Sequence, residues 1–189
     1  LNDANRQKGG LANSTRGLCA GGSILSGSFA ATNRIDYVTI QSTGNAQDFG
    51  DLSAIDKDNA TVSDGIYGVH SFGYGNTASY SGSIEYITMD TTGNASDFGD
   101  LSFNRRNLKS TSDRTRLIFT GGYTSGPAVV YNTLEFVTMA SQGDVTDFGD
   151  LTQARSRHSG FASSTRGFAA GGMSDPSPTT MSEVIDYVT

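Results

Sequence analysis

The sequence DFGDL occurs three times in this chain, at residues 48–52, 97–101 and 147–151. Each copy after the first begins 49 or 50 residues beyond the one before it. Self-similarity at such a period is the signature of a repeat architecture, in which a unit is stable only when it stacks on its neighbours. We therefore divide the 189 residues into four units of one domain, at 1–51, 52–100, 101–150 and 151–189.

Two further patterns recur in register with DFGDL. A strand-like block precedes it, as IDYVTI at 35–40, IEYITM at 84–89 and LEFVTM at 134–139, and a fourth copy begins at 185. A Gly-Gly pair follows an apolar run at 21–22, 121–122 and 171–172, and we align Val69-His70 with it in the second unit. Val, Ile, Thr, Tyr and Phe dominate these segments, while Gly, Asn, Ser and Asp separate them, so each unit is predicted to form four short β-strands. No stretch of about ten residues has the periodicity of an amphipathic helix.

A basic residue also recurs, in the turn before the second predicted strand. It is Arg16, Arg116 or Arg166, and it is missing from the second unit. We expect each arginine to cap its own hairpin or to pair with a nearby DFGD aspartate, rather than to form a ring of cations. The DFGD aspartates are expected to accept hydrogen bonds from backbone N–H groups. A calcium site at Asp48 and Asp51 is the weaker alternative, because calcium takes at least about six oxygen ligands.

Four strands in about fifty residues, with paired glycines closing the second strand, resemble a blade of the kelch family of β-propellers. The resemblance also rests on aromatic residues in the third strand, and on phenylalanine in the fourth strand, where kelch proteins usually have the tryptophan that this chain lacks. These residues are Tyr37, Tyr86, Phe136 and Tyr187 in the third strand, and Phe49, Phe98 and Phe148 in the fourth. The patterns TRGxxAGG, IDYVT and TGNAxDFGDL are also similar to repeat proteins of tailed phages of aquatic bacteria, which are presumed to be virion fibre or adhesin parts.

The resemblance implies an all-β, kelch-like β-propeller of four four-stranded blades, the last of which lacks its outer strand. Ordinary kelch rings have more than four blades, and an unpaired strand edge is rarely left bare. We therefore expect a neighbouring subunit, or a missing blade of a longer chain, to complete the fourth blade. Closure of a small four-bladed ring is the alternative.

The composition argues against several functions. A net charge of −6 disfavours a nucleic-acid partner, which requires a basic surface. No apolar run approaches the ~18 residues of a membrane-spanning helix, so no membrane span is expected. The single cysteine, Cys19, rules out an internal disulfide and is expected to be a packed small residue. We expect an extracellular or virion location.

No catalytic, metal or cofactor site is predicted. The two histidines, His70 and His158, lie in different units and at different places in the repeat, whereas zinc or copper needs several convergent ligands. The sequence contains no nucleophile elbow, P-loop or dinucleotide-binding fingerprint. We therefore expect a protein that is not an enzyme.

Binding through the loops at one end of the blades is then the default function. The loops between the second and third strands, at 23–33, 71–82, 123–132 and 173–182, carry aromatic residues among small polar ones, and the connections from fourth to first strand add basic residues. We predict that a virion or cell-surface adhesion module binds a glycan, in particular an anionic one, or an acidic protein receptor here. The predicted ligand-binding residues are Tyr74, Tyr80, Arg105, Arg106, Tyr123, Tyr131, Arg155 and Arg157, and Phe29 lies in the same loops.

Two other functions stay open at this stage. One is a purely structural spacer or decoration in a fibre or virion, and the other is an intracellular kelch-type protein-interaction domain. The loops are equally well explained as ordinary solvated connections, because loops vary between units whether or not they bind anything.

Overall fold

The computed structural model describes residues 5–24, 30–75, 81–113, 115–176 and 180–189, which contain β-strands and no helix. The predicted all-β class is therefore confirmed. Among these residues there is no helix long and apolar enough to cross a membrane. The strands are β1 (Asn5–Arg6), β2 (Gly9–Ala12), β3 (Arg16–Ala20), β4 (Ser23–Ile24), β5 (Thr32–Thr39), β6 (Gln47–Asp56), β7 (Ala60–Ser63), β8 (Tyr67–Ser71), β9 (Ser83–Thr88), β10 (Ser96–Asp100), β11 (Lys109–Ser112), β12 (Arg116–Thr120), β13 (Tyr123–Ser125), β14 (Ala128–Val130), β15 (Thr133–Thr138), β16 (Ser141–Asp150), β17 (Ser159–Ala162), β18 (Gly167–Ala170) and β19 (Ile185–Val188).

Four antiparallel sheets follow one another along the chain, one for each unit. The first sheet has the strand order β2-β3-β5-β6, the second β7-β8-β9-β10, the third β11-β12-β15-β16 and the last β17-β18-β19. The short strands β1 with β4, and β13 with β14, form two small ribbons beside them. Over the described ranges, the first three units thus have the four main strands that the sequence predicts, and the last unit has three.

A polar turn of the same kind joins the first two strands of each sheet. The Asn13 Oδ1 atom accepts hydrogen bonds from the backbone N–H groups of Thr15 and Arg16, at 2.9 and 2.7 Å. Asp64, Asp113 and Ser163 accept equivalent bonds in the other units. Such side chains replace the backbone acceptors that a tight turn lacks, which explains why a short polar residue recurs there.

Strand register corrects the sequence alignment of the second unit. Cys19 lies opposite Asp36, and His70 lies opposite Glu85, so His70 occupies the position of Cys19. Phe72 and Gly73, rather than Val69-His70, therefore follow the second strand where the other units have Gly-Gly. Register is fixed by pairing with the next strand, and this pairing places the true equivalents three residues further along. Cys19 itself is partly buried.

The sheets pack face to face in chain order. We call the face of a sheet that is turned to the following sheet its forward face, and the opposite one its rear face. The forward face of the first sheet, with Leu18 and Ile35, packs on Ile87 and Met89 of the second sheet. Val69 and Ile84 of the second sheet meet Leu117 and Val137 of the third, and Ile118 and Leu134 of the third meet Ala169 of the last. Each inner sheet is therefore buried on both faces.

The first strands of successive sheets lie side by side and exchange side-chain hydrogen bonds. The Thr61 hydroxyl of the second sheet donates to the carbonyl of Gly10 at 3.0 Å, and the Ser110 hydroxyl of the third donates to the carbonyl of Thr61 at 2.8 Å. The Thr111 hydroxyl donates in turn to the carbonyl of Phe161 at 2.9 Å. These bonds align the four units at their first strands.

Aromatic pairs explain the recurring third-strand ring and the phenylalanine of DFGD. Tyr37 meets Phe49 edge to face with ring centroids 5.8 Å apart. The equivalent pairs are Tyr86 with Phe98 at 6.2 Å and Phe136 with Phe148 at 5.8 Å. Edge-to-face contacts of this kind add to the free energy of burial. The repeat therefore conserves a contact between its third and fourth strands.

The DFGD sequence of one unit also binds the turn before the fourth strand of the next unit. The backbone N–H groups of Gly93 and Ala95 donate to the carbonyls of Phe49 and Asp51 at 2.8 and 2.9 Å, and the Asp51 N–H donates to Asn94 Oδ1 at 3.0 Å. The third unit repeats the last bond, from the Asp100 N–H to Asp144 at 3.1 Å. Asp51 and Asp100 therefore act here through their backbone groups, whereas the Asp147 carboxylate accepts the Gly149 N–H at 3.3 Å, as the sequence predicts for these aspartates.

This interlock requires glycine in DFGD. Gly99 has φ of 151°, and a Cβ atom there would lie 2.2 Å from the carbonyl oxygen of Gly143 in the next unit. Gly149 has φ of 127°, but a Cβ atom there would meet no atom of another residue within 4 Å. Alanine would therefore strain the backbone at both positions, but it would collide with the next unit only at Gly99.

We expect Gly149→Ala to lower the free energy of unfolding by roughly 1–2 kcal/mol, because alanine strains the backbone at positive φ. Gly99→Ala should cost at least about 2 kcal/mol more, because the facing segment of β16 at Gly143 must move and the hydrogen bond from the Asp100 N–H to Asp144 is lost. Urea denaturation of the two variants measures the difference. Equal losses would show that the interlock contributes nothing to stability.

Candidate functional site

A residue with left-handed backbone conformation precedes the first strand of every sheet. The four are Gln7, Asp58, Asn107 and Arg157, with φ between 55° and 60°. The Arg157 N–H donates to the carbonyl of Asn107 at 2.9 Å, and the Asn107 N–H donates to the carbonyl of Asp58 at 2.9 Å. Gln7 reaches Asp58 through its side chain at 2.6 Å. The connections from one sheet to the next therefore lie in a row at one end of the sheets.

Cations and tyrosines alternate along this end. The guanidinium carbon of Arg106 lies 4.7 Å from the ring centroid of Tyr74 and 5.3 Å from that of Tyr123. The Nζ atom of Lys57, which belongs to the second unit like Tyr74, lies 5.3 Å from the centroid of the same Tyr74 ring. We call Lys57, Tyr74, Arg106 and Tyr123 the cation–tyrosine row. A cation is attracted electrostatically to the face of an aromatic ring, so the contacts within the row hold its side chains in place.

Backbone pairing holds the row in place. Arg106 and Tyr123 exchange backbone hydrogen bonds of 3.0 and 2.8 Å, and Lys57 pairs with Tyr74 in the same way at 3.1 and 2.9 Å. The Arg106 guanidinium also forms an ion pair with Asp58 at 3.4 Å. Each member of the row is thus fixed at its backbone, while part of its side chain reaches the surface.

A shallow groove of about 100 Å³ continues the row toward the last unit. Arg157, which is exposed, lies with its Nη1 atom 3.7 Å from the sulfur of Met173. The other lining residues are Arg106, Tyr123, Ser156, Asp175 and Pro176. The groove is smaller than the pockets that enclose drug-sized ligands, which measure roughly 300 Å³ or more. It suits one ring or one side chain of an extended ligand that lies along the surface.

The structure thus brings together four of the eight predicted ligand-binding residues: Tyr74, Arg106, Tyr123 and Arg157. Tyr131 is partly buried, with its ring 4.7 Å from that of Phe103 and its hydroxyl 3.3 Å from the Thr124 hydroxyl. Tyr80 lies outside the described residues, as does Phe29.

The expectation that Arg105 and Arg155 are presented on the surface is wrong. Both are 0% exposed. Arg105 donates to Glu135 at 2.6 Å and to the carbonyl of Gly121 at 2.9 Å. Arg155 donates to Asp186 at 2.5 Å and to the carbonyl of Val184 at 2.7 Å. Burial lowers the pKa of Arg105, and Glu135 partly offsets that shift.

The sequence contains a signal for this burial that our loop-based interpretation missed. An acidic residue stands between apolar residues in every third strand, as Asp36, Glu85, Glu135 or Asp186. A carboxylate inside a sheet with two dry faces requires a cation or several hydrogen-bond donors. Lys8 binds Asp36 at 3.0 Å, and the Ser53 N–H donates to Glu85 at 3.2 Å. The basic residues that pair with these carboxylates are those that lie nearest to them in the fold, not those nearest in sequence.

The second unit has a buried carboxylate and histidine where the last two units have the arginine. Asp56 occupies the place of Arg105, and its Oδ2 atom lies 2.8 Å from Nε2 of the fully buried His70. The Asp56 Oδ1 atom accepts the backbone N–H groups of Gly73 and Tyr74 at 2.8 and 3.0 Å. His70 is therefore a structural residue that supports the loop carrying Tyr74.

The recurring arginines stack on the third- and fourth-strand rings at the opposite end of the sheets. The guanidinium carbon of Arg16 lies 4.9 Å from the Tyr37 ring, and that of Arg166 lies 4.9 Å from the Tyr187 ring. Arg116 lies 5.3 Å from the Phe148 ring and pairs with Asp113 at 2.8 Å. Of the two expected roles, Arg116 shows the capping of its own hairpin, through Asp113, and the expected pairing with DFGD aspartates is replaced by stacking on rings of the same unit.

An aromatic cleft opens where this arginine is missing. In the second unit Tyr67 begins the strand in place of arginine, and it lies edge to face with Tyr86 at 5.9 Å. A cleft of about 380 Å³ lies beside these rings and is lined also by Phe98, Met139, Ala140 and Gln142. The missing arginine was visible in the sequence, but its consequence depended on the rings beneath it.

Over the described part of the chain, no group of three or more His, Cys, Asp or Glu side chains is arranged to hold a metal ion. The second histidine, His158, is buried, with Nε2 2.6 Å from the Thr120 hydroxyl. No model of a known protein family matches the sequence, and no curated protein is detectably similar to it. The likeness to kelch repeats and to phage repeat proteins therefore stays a prediction.

We expect Arg105→Ala to lower the free energy of unfolding by about 3–5 kcal/mol, because it leaves the Glu135 carboxylate buried without its cation. Arg106→Ala, one residue away on the surface, should cost about 1 kcal/mol or less. Urea denaturation compares the two. Adding Glu135→Leu to Arg105→Leu should restore most of the loss, and failure of that rescue would show that the arginine acts through its packing alone.

His158 should make the protein less stable in acid. Burial, together with the charges of Arg155 and Lys109, lowers the pKa of His158 from 6.5 to about 3. The unfolded chain therefore binds a proton at His158 that the folded chain does not bind between these values, and stability falls as the pH falls from about 6.5 toward 3. Above that range the stability contribution is fully present.

His158→Leu tests this assignment, because leucine stands at the equivalent position 108. The free energy of unfolding of the native protein should fall more steeply with decreasing pH than that of the variant, by up to about 1.4 kcal/mol per pH unit. Parallel pH profiles of the two proteins would contradict the assignment.

Proposed function

We propose that the four sheets are blades of a propeller-like repeat, and that the protein is a non-enzymatic recognition module that binds its receptor at the cation–tyrosine row. The proposal of blades is supported by the meander order of each sheet, by packing in chain order, and by the alignment of the first strands. An acidic glycan on a cell surface is the receptor that the row fits best, and a virion or cell-surface adhesion protein is the setting we propose.

The chemistry of the row carries this choice of ligand. Tyrosine presents a rigid, partly polar ring at low conformational cost and is a common contact residue of recognition surfaces. The guanidinium of Arg106 has a planar fork of donors that matches a carboxylate or sulfate group. Because Arg106 is held between two rings, little of its conformational freedom is left to lose on binding.

The charge of the surroundings sets the strength of such binding. The row and groove contain the cations Lys57, Arg106 and Arg157, against the carboxylates of Asp58 and Asp175. The whole chain has a net charge of −6, so an acidic ligand gains attraction from the row only at short range. Affinity should therefore fall with added salt, but less than for a strongly basic surface.

Binding of the protein to an array of neutral and acidic polysaccharides tests the proposal. We expect Tyr123→Ala and Arg106→Ala each to weaken binding by about tenfold or more, since each removes a contact worth roughly 1–3 kcal/mol. Arg116→Ala, at the opposite end of the same sheet, is the matched control and should leave binding unchanged. Loss of binding with Tyr67→Ala but not with Tyr123→Ala would move the site to the aromatic cleft and overturn the proposal.

A purely structural role is the second candidate, and a separate observation favours it. Apolar side chains are exposed on the outer faces of the first and last sheets. Those faces are remote from the cation–tyrosine row, because they run along the sheets rather than across their ends.

A further inference from the structure

The forward face of the last sheet is apolar and exposed. Ile185 and Tyr187 are 64% and 59% exposed, and Phe161 is 50% exposed. The equivalents of Ile185 in the first two sheets, Ile35 and Ile84, are 0% exposed. Across the three strands Phe161, Phe168 and Tyr187 lie in register, and the two phenylalanine rings stack at 5.0 Å. The last sheet therefore presents a continuous aromatic surface.

The rear face of the first sheet is exposed at its Val38 end, whereas Asp36 on the same face is buried against Lys8. Val38 and Ile40 are 41% and 54% exposed there, whereas their equivalents in the second sheet, Ile87 and Met89, are 1% and 0% exposed. A Cβ atom at Gly10 would meet nothing within 4 Å. The first sheet thus lacks, on this face, the neighbour that every later sheet has.

Three interfaces within the chain show what these two faces bind. Each joins the forward face of one sheet to the rear face of the next. Leu11 on a forward face lies so close to Gly68 on the facing strand that a Cβ atom at Gly68 would be 2.6 Å from Leu11 Cδ1. Thr111 faces Gly167 at the same distance. In two of the three interfaces a glycine on the rear face therefore accepts the side chain from the forward face, whereas Leu117 stands at this position in the other.

The two exposed faces carry the matching halves of this contact. Phe161 occupies the position of Leu11 and Thr111, and it is the largest residue at that position. Gly17 occupies the position of Gly68 and Gly167, and a Cβ atom there would meet only Val38 of its own sheet, at 3.5 Å. A glycine leaves the space that a phenylalanine ring needs.

We propose that the forward face of the last sheet binds the rear face of the first sheet of a second copy of this chain, with Phe161 over Gly17. The occupant is a second copy because each face is the complement that the other already meets three times within the molecule. The contact joins two different surfaces, so it is heterologous and extends head to tail into chains or closes into rings.

The contact does not depend on the proposed receptor binding. The faces lie along the sheets, whereas the cation–tyrosine row lies at their ends. A variant that blocks one face leaves the row in place, and a variant in the row leaves both faces free. The two proposals can therefore fail separately.

Sedimentation velocity of the full chain over a wide range of concentration tests the proposal. The native protein should associate into a series of species whose size rises with concentration. Phe161→Arg blocks the forward face and Gly17→Arg blocks the rear face, and each variant alone should associate at least about tenfold more weakly, because it removes a buried aromatic contact or places a charge in it. Gly17 has no positive φ, and leucine stands at the equivalent position 117, so a side chain is tolerated there.

Mixing the two variants gives the decisive measurement. Phe161→Arg keeps an intact rear face, and Gly17→Arg keeps an intact forward face. An equal mixture should therefore form a dimer with one copy of each variant and nothing larger. Ile66→Arg, in a turn and exposed in the monomer, is the control and should associate like the native protein. A native protein that stays monomeric at all concentrations, or a Gly17→Arg variant that still pairs with itself, would overturn the proposal. Circular dichroism of each variant confirms that it is folded.

Discussion

Burial of both faces of every inner sheet is the constraint on which the rest of this structure depends. Strand β12 is apolar along almost its whole length, and Leu117, Ile118 and Phe119 are buried in turn on its two sides. Such a sheet is not stable alone in water, because one face would always be exposed. The neighbouring units supply the missing contacts. The hydrogen bonds between DFGD and the following turn then fix the spacing, since the apolar contacts alone are not directional.

The same dry interior explains the charged residues of the third strands. A carboxylate in that position costs free energy unless a partner satisfies it, and the first two units use partners that differ from the arginine of the last two. Lys8, the backbone N–H of Ser53, Arg105 and Arg155 fill this role in successive units. In the second unit Asp56 stands where the last two units have Arg105 and Arg155, and its partner His70 stands where they have Phe119 and Ala169. The third-strand carboxylate thus has a partner in every unit, which is a lysine, a backbone N–H group or an arginine.

The repeat predicted the sheets well because periodicity and strand composition are local properties of the sequence. The third-strand blocks mark the sheet in every unit, and DFGDL marks it in the first three. The second unit was misaligned because IYGVH looks like the other apolar runs, whereas its register depends on pairing with Glu85. The site was predicted only in part. Tyr74, Arg106 and Tyr123 follow from loop composition, but the direction in which an arginine points depends on which carboxylate lies inside the fold.

Arg105 and Arg106 show why that distinction matters for function. They are adjacent in sequence, yet one is fully buried on Glu135 and the other lies between two tyrosine rings at the surface. The backbone between them turns from the interior to the sheet end, and the left-handed Asn107 follows at once. Removal of both arginines together would couple loss of the fold to loss of binding. A substitution that separates recognition from stability must therefore change Arg106 while the buried pair beneath it stays intact.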